Sequence, residues 1–156
     1  MKKLTCLLAL LLIFTAAACG KPADKDRVSE NKVSTEFAST DKNKVLYDKD
    51  DIKVTFLEMA EDEYSYTVKL SYDNKTDKKY DIQTRNVKIN GKDTNSIGFS
   101  DEIAPSTVTE GDGIGIYKAE LQKETIEKPE SLKGDFVVIY NNTEEARKFP
   151  FTINCK

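Results

Sequence analysis

Histidine and tryptophan are absent from the 156 residues, and cysteine occurs only three times. Without imidazole there is no Ser-His-Asp or Cys-His nucleophile activation, no His-ligated zinc or copper and no His-ligated haem. Basic residues are also in the minority, 24 against 27 acidic. Over residues 45–156 the balance is 16 basic to 22 acidic, a net of −6. A phosphate-binding stripe has little material there, so nucleic acid is not an expected partner. The one long apolar run, residues 4–14, is too short to cross about 30 Å of hydrocarbon as a helix, which takes about 20 residues.

That run sits in a recognisable order. Lys2 and Lys3 precede it, and Thr15, Ala16, Ala17 and Ala18 follow it, directly before Cys19. A basic start, an apolar middle and small residues at a junction form the grammar of a secretory signal. With small residues ahead of a cysteine and Gly20 and Lys21 behind it, the segment resembles a bacterial lipoprotein signal. The resemblance implies cleavage after residue 18 and a diacylglycerol on the Cys19 thiol, placing the protein at the extracytoplasmic face of the cell membrane. Ala16-x-Ala18 would also satisfy the ordinary secretory peptidase, which would release a soluble chain with a free Cys19, but a cysteine right at the cleavage junction favours the lipoprotein reading. In the first case Cys6 leaves with the signal, Cys19 carries lipid, and Cys155 is the only thiol of the exported domain. In the second, Cys19 and Cys155 could pair.

Residues 19–44 follow as the lipidated cysteine and a tether. Of the 25 residues from 20 to 44, 11 are charged and Phe37 is the single aromatic. So little apolar surface cannot offset the entropy of ordering, and the stretch reads as a flexible spacer.

From residue 45 the apolar period becomes two, as in half-buried strands. Ile52, Val54 and Phe56 alternate, and Tyr64, Tyr66, Val68, Leu70 and Tyr72 share one face of the clearest strand. Glu61-Asp62-Glu63 divides the two into a hairpin. The next run begins with Tyr80 and Ile82 in phase and ends with Val87 and Ile89 out of phase, which predicts a bulge near Arg85 and Asn86. Asn90-Gly91 is a strong turn signal. Residues 104–106 and 110–113 read as connections, 114–121 as a strand, and 122–134 as one or two helical turns stopped by Pro129. Residues 136–140 read as a strand covered on both sides. Phe149, Phe151 and Ile153 form a last strand, for which Pro150 favours an edge position or a gap in the ladder.

The expected architecture over residues 45–156 is therefore all-β: an antiparallel, immunoglobulin-like β-sandwich of seven to eight strands. Leu46, Tyr47 and Asp48 before Ile52-Lys53-Val54, and later Arg85-Asn86-Val87-Lys88-Ile89-Asn90-Gly91, are similar to segments of small lipoproteins of low-GC Gram-positive bacteria that carry an immunoglobulin-like domain of unknown function. The resemblance implies fold and location and brings no catalytic residue with it.

Three groups of side chains are candidates for chemistry. Asp48, Asp50 and Asp51, with Glu61, Asp62 and Glu63, are the nearest approach to a cation site. Ile52 and Lys53 break the alternation that a calcium loop needs, so solvated turns are the simpler reading. Tyr64, Tyr66, Tyr72 and Tyr80 could stack on a sugar or peptide, but regular alternation favours core lining. Cys155 continues the face of Phe149, Phe151 and Ile153 and is expected to be an inert thiol. No carboxylate pair is placed as a glycosidase would need, and no cofactor is implied. The sequence thus points to a non-enzymatic, lipid-anchored domain that presents a surface to an envelope protein. The competing class is a receptor lipoprotein for a small ligand or cation.

Overall fold

The computed structural model describes residues 35–37, 39–49, 51–94, 97–140 and 144–155. The signal and Cys19 lie outside them. Ten strands and one short helix occur among the described residues: β1 (Thr35–Phe37), β2 (Lys44–Asp48), β3 (Ile52–Glu61), β4 (Ser65–Asn74), β5 (Tyr80–Ile89), β6 (Lys92–Asp93), β7 (Ser100–Ile103), β8 (Thr107–Tyr117), α1 (Lys118–Lys123), β9 (Ser131–Tyr140) and β10 (Glu144–Asn154). They form two five-stranded antiparallel sheets packed together as a β-sandwich. In one, β1 and β2 share an edge of β3, followed by β4 and β8; in the other, β10, β9 and β5 lie in order with β6 and β7 on the far edge of β5.

The alternation of the sequence becomes the core. Ile52, Val54 and Phe56 of β3, and Tyr66, Val68, Leu70 and Tyr72 of β4, are buried against Ile82, Ile89, Leu132, Phe136 and Ile153 of the opposite sheet. Rings fasten the layers. Tyr47 of β2 stacks on Phe149 of β10 with centroids 3.8 Å apart, and Tyr72 lies parallel to Phe99 at 6.2 Å. Val137, on the outer side of β9, is buried too, so that strand is shielded on both faces as its apolar run suggested.

Local signals placed several elements correctly. Asp62 organises the β3–β4 hairpin by accepting from the Tyr64 and Ser65 amides at 2.7 Å each. The β5–β9 ladder shifts register between Arg85 and Lys88, with Asn86 at φ 54°, where the phase slip was expected. Asn90 and Gly91 turn with φ 52° and 81°. β10 is an edge strand that contains Pro150.

Other expectations are corrected. Residues 110–113 are part of β8 and not a connection. A Cβ on Gly113 would lie 2.6 Å from Leu70 Cδ1 and 2.9 Å from the Val68 carbonyl, so that glycine serves close strand approach. The strand expected over 114–121 ends at Tyr117, and the helix occupies 118–123, overlapping the 122–134 window only at Gln122 and Lys123. Pro129 does not stop it. Thr125 takes φ 56°, its amide donates to the Gln122 carbonyl at 3.0 Å, and the Ile126 amide donates to Leu121 at 2.8 Å. These are the two bonds of a Schellman stop, sealed by buried Leu121 and Ile126.

The folded region also begins before residue 45. β1 pairs with Met59, Ala60 and Glu61 of β3. Asp41 accepts from the Asn154 amide at 2.7 Å, and the Ser39 hydroxyl donates to the Asn154 carbonyl at 2.6 Å. Polar side chains in a charged segment thus satisfy the end of β10, a role that apolar counting does not register.

Candidate functional site

The acidic candidates do not converge. Asp48 pairs with Lys75 at 2.7 Å, and Asp51 with Arg147 at 2.5 Å; Asp50 lies outside the described residues. The Lys75 hydrogen bond holds the Asp48 carboxyl below the usual range. Glu61, at the other end of β3, pairs with Lys118 at 2.6 Å, and Asp62 is committed to its hairpin. Among the described residues no three potential ligands gather in a way that could hold a metal ion.

The tyrosines divide. Tyr66, Tyr72 and Tyr80 are buried, as core lining requires. Burial, with a smaller effect from the Asp101 charge, drives the Tyr72 phenol well above its ordinary pKa. Tyr64 does not share that core face; it is 66% exposed just before β4. Beside it stands Tyr117, 64% exposed, for Ser65 pairs with Tyr117 and the Lys118 amide donates to the Tyr64 carbonyl at 2.9 Å. The two exposed tyrosines thus occupy neighbouring backbone positions at one end of the sheet, with Tyr117 on the face of Ser65. Below them Lys118 Nζ lies 5.0 Å from the ring centroid of Tyr66 while paired with Glu61.

Cys155 is 2% exposed and packs into the core. Burial, and secondarily the Asp41 charge, pushes its thiol up to about 12. A thiolate is then scarce at neutral pH, so a maleimide or disulfide reagent should leave Cys155 of the folded protein unlabelled and modify it fully in denaturant. Rapid native labelling, read by mass spectrometry of the peptide that contains Cys155, would contradict the buried placement.

A third feature is a cleft of about 300 Å³ on the outer edge of β5. Where β5 bulges, residues 84–87 lie between the part of its edge that pairs with β7 and the part that pairs with β6. The Thr84 amide still donates to Phe99 at 3.1 Å, and the Thr94 amide donates to Val87 at 3.2 Å. Arg85 and Asn86 line the gap between these two bonds.

No protein-family model, curated protein or solved structure matches the chain. Geometry alone therefore separates the candidates. The tyrosine pair and the cleft are built by contacts between distant segments. The sequence marked Tyr64 and the bulge at Arg85 and Asn86, but Tyr117 carries no signal until β8 is laid beside β4. Nor could the cleft be seen before Thr94 and Ile97 were brought back against β5.

Proposed function

We propose that this protein is a non-enzymatic lipoprotein of the small low-GC Gram-positive kind, attached through lipid on Cys19 to the outer face of the cell membrane. Its β-sandwich, of immunoglobulin-like type, presents a docking surface to another envelope protein. The observation that carries the interaction reading is that Tyr64 and Tyr117, each about two-thirds exposed, stand at neighbouring backbone positions at one end of the β4–β8 pair. Tyrosine offers a large, stiff, amphipathic contact and is over-represented among the residues that dominate interface energies. The anchor supports the reading, because it restricts encounters to proteins of the membrane surface.

Photocrosslinking from position 117 on intact cells tests it. A reproducible envelope protein should be captured, and Tyr64→Ala with Tyr117→Ala should weaken its binding by at least roughly 30-fold, about 2 kcal/mol. The thermal midpoint of the double variant should barely move, since neither side chain is buried. Absence of a reproducible partner, or undiminished binding by the double variant, would remove the interaction surface. The anchor is checked separately by the intact mass of the membrane fraction: a mature chain without lipid would refute it.

A further inference from the structure

We propose that the cleft at the β5 bulge is a binding site for a small organic carboxylate, with Arg85 as its charged anchor and the Thr84 hydroxyl as a second contact. The site stands apart from the tyrosine pair and does not depend on it. Three observations meet here.

The first is charge. Arg85 is exposed and lines the cleft, yet its guanidinium is steadied only by neutral acceptors, the Thr84 carbonyl at 2.9 Å and the Gln83 side-chain carbonyl. Among the described residues no carboxylate lies at ion-pair distance from it, whereas Arg147 is paired with Asp51. The neighbouring charges are matched: Lys88 pairs with Asp93 at 3.1 Å, and Lys148 with Asp135 at 3.4 Å. The guanidinium, held by neutral acceptors, thus lines a cleft whose carboxylate, Asp93, is already paired with Lys88, and its cross-strand neighbour Asp135 is paired with Lys148. A guanidinium fork matches the two oxygens of a carboxylate.

The second is an orphan hydroxyl. Thr84 is 3% exposed, lines the same cleft, and its Oγ1 has no hydrogen-bond partner. A buried hydroxyl left unpaired is unfavourable, so native structures seldom retain one without a water or a ligand to satisfy it.

The third is the shape of the backbone. The bulge puts Asn86 at φ 54°, and its side-chain amide donates to the Asp135 carboxylate at 2.9 Å, turned toward β9. The Thr94 hydroxyl donates to Val87 at 2.8 Å, holding the opposite wall. Buried Val87 and Ile97 supply an apolar floor. A volume of about 300 Å³ is at the small end of small-molecule sites, which restricts the ligand to a few heavy atoms beyond its carboxylate. Such an acid could arrive free or as the end of a peptide, and the probes below separate the two.

The test is an amide-resolved NMR titration of the full chain with L-lactate and succinate, as free acids, and N-acetyl-D-alanine, as a peptide end, each beside its uncharged amide. At least one acid should give saturable shifts confined to residues 84–94 with Kd on the order of 1 mM, and its amide should bind at least roughly tenfold more weakly. Arg85→Gln should weaken binding by roughly tenfold or more while leaving the remaining spectrum unchanged, because Arg85 is exposed and outside the core. Thr84→Val should weaken it by a smaller factor. Saturation by none of the acids at about 20 mM, equal binding of acid and amide, or undiminished binding by Arg85→Gln would overturn the proposal. The result would then be that Thr84 is satisfied by an internal water only. The Tyr64 and Tyr117 double variant should bind the acid like the natural chain, so failure of the docking surface and failure of this site are distinguishable.

Discussion

Phe136→Ala should destabilise the domain by about 3–5 kcal/mol, seen as a lower midpoint in urea with an unchanged slope. Phe136 is fully buried on β9, an inner strand, with Thr84 of β5 opposite it on one side and Phe149 of β10 on the other. Its ring lies 4.4 Å from that of Phe151 and 5.6 Å from that of Phe149. Truncation leaves a void that backbone ladders on both sides keep from closing, so the lost transfer energy and the cavity act together. Against a total stability of about 5–15 kcal/mol, this is a large share. Phe136→Leu, which keeps most of the volume, should lose less than half as much. A loss below about 1.5 kcal/mol for the alanine variant would show that the three rings repack freely.

The reason this core is so sensitive also explains why much of it was legible. Strand identity in a sandwich is carried by a period of two, and Tyr66, Val68, Leu70 and Tyr72 keep that period without interruption. A bulge is legible where it shifts the period within one run, as at Arg85 and Asn86. It is masked at Leu57: the buried positions of β3 pass from Ile52, Val54 and Phe56 to Met59 across the register shift between Phe56 and Glu58, but apolar Leu57 and Ala60 fill both phases there and hide the slip. On the other edge of β3 the Leu57 carbonyl accepts from the Asn43 amide at 3.1 Å, extending the β2–β3 pairing to the segment before β2. β8 was misread for the converse reason. Its glycines suggest a loop, but Gly113 is there because Leu70 and the Val68 carbonyl leave no room for a Cβ. Composition reports what a residue can do alone, whereas both of these positions are decided by a neighbour from another strand.

The same dependence on distant neighbours makes Asn74 the polar position where a single atom should matter most. Asn74 ends β4 fully buried. Its amide nitrogen donates to the carbonyls of Lys78 at 2.7 Å, Ala104 at 3.0 Å and Ile103 at 3.4 Å. Its side-chain oxygen accepts from the Thr76 amide at 3.1 Å and from the Thr76 hydroxyl at 2.9 Å. One carboxamide therefore ties the end of β4, in one sheet, to the β4–β5 loop and to the end of β7, in the other. Asn74→Asp preserves shape but replaces the donor by an oxygen facing three carbonyls. At pH 7 the domain should lose about 4 kcal/mol, because a buried carboxylate meets acceptors and the carbonyls lose their donor. The pH dependence identifies the cause. Burial among acceptors raises the folded pKa of the new acid above its unfolded value of about 3.9, so above that value the native state binds more protons than the unfolded state. Stability of the variant relative to the natural chain must then fall as pH rises through that window and recover below it, by roughly 2–3 kcal/mol for a shift of about two units. Urea unfolding of both chains at pH 7 and near pH 3.5 measures this difference. An equal penalty at the two pH values would mean that shape, and not the donated hydrogen bonds, makes asparagine necessary there.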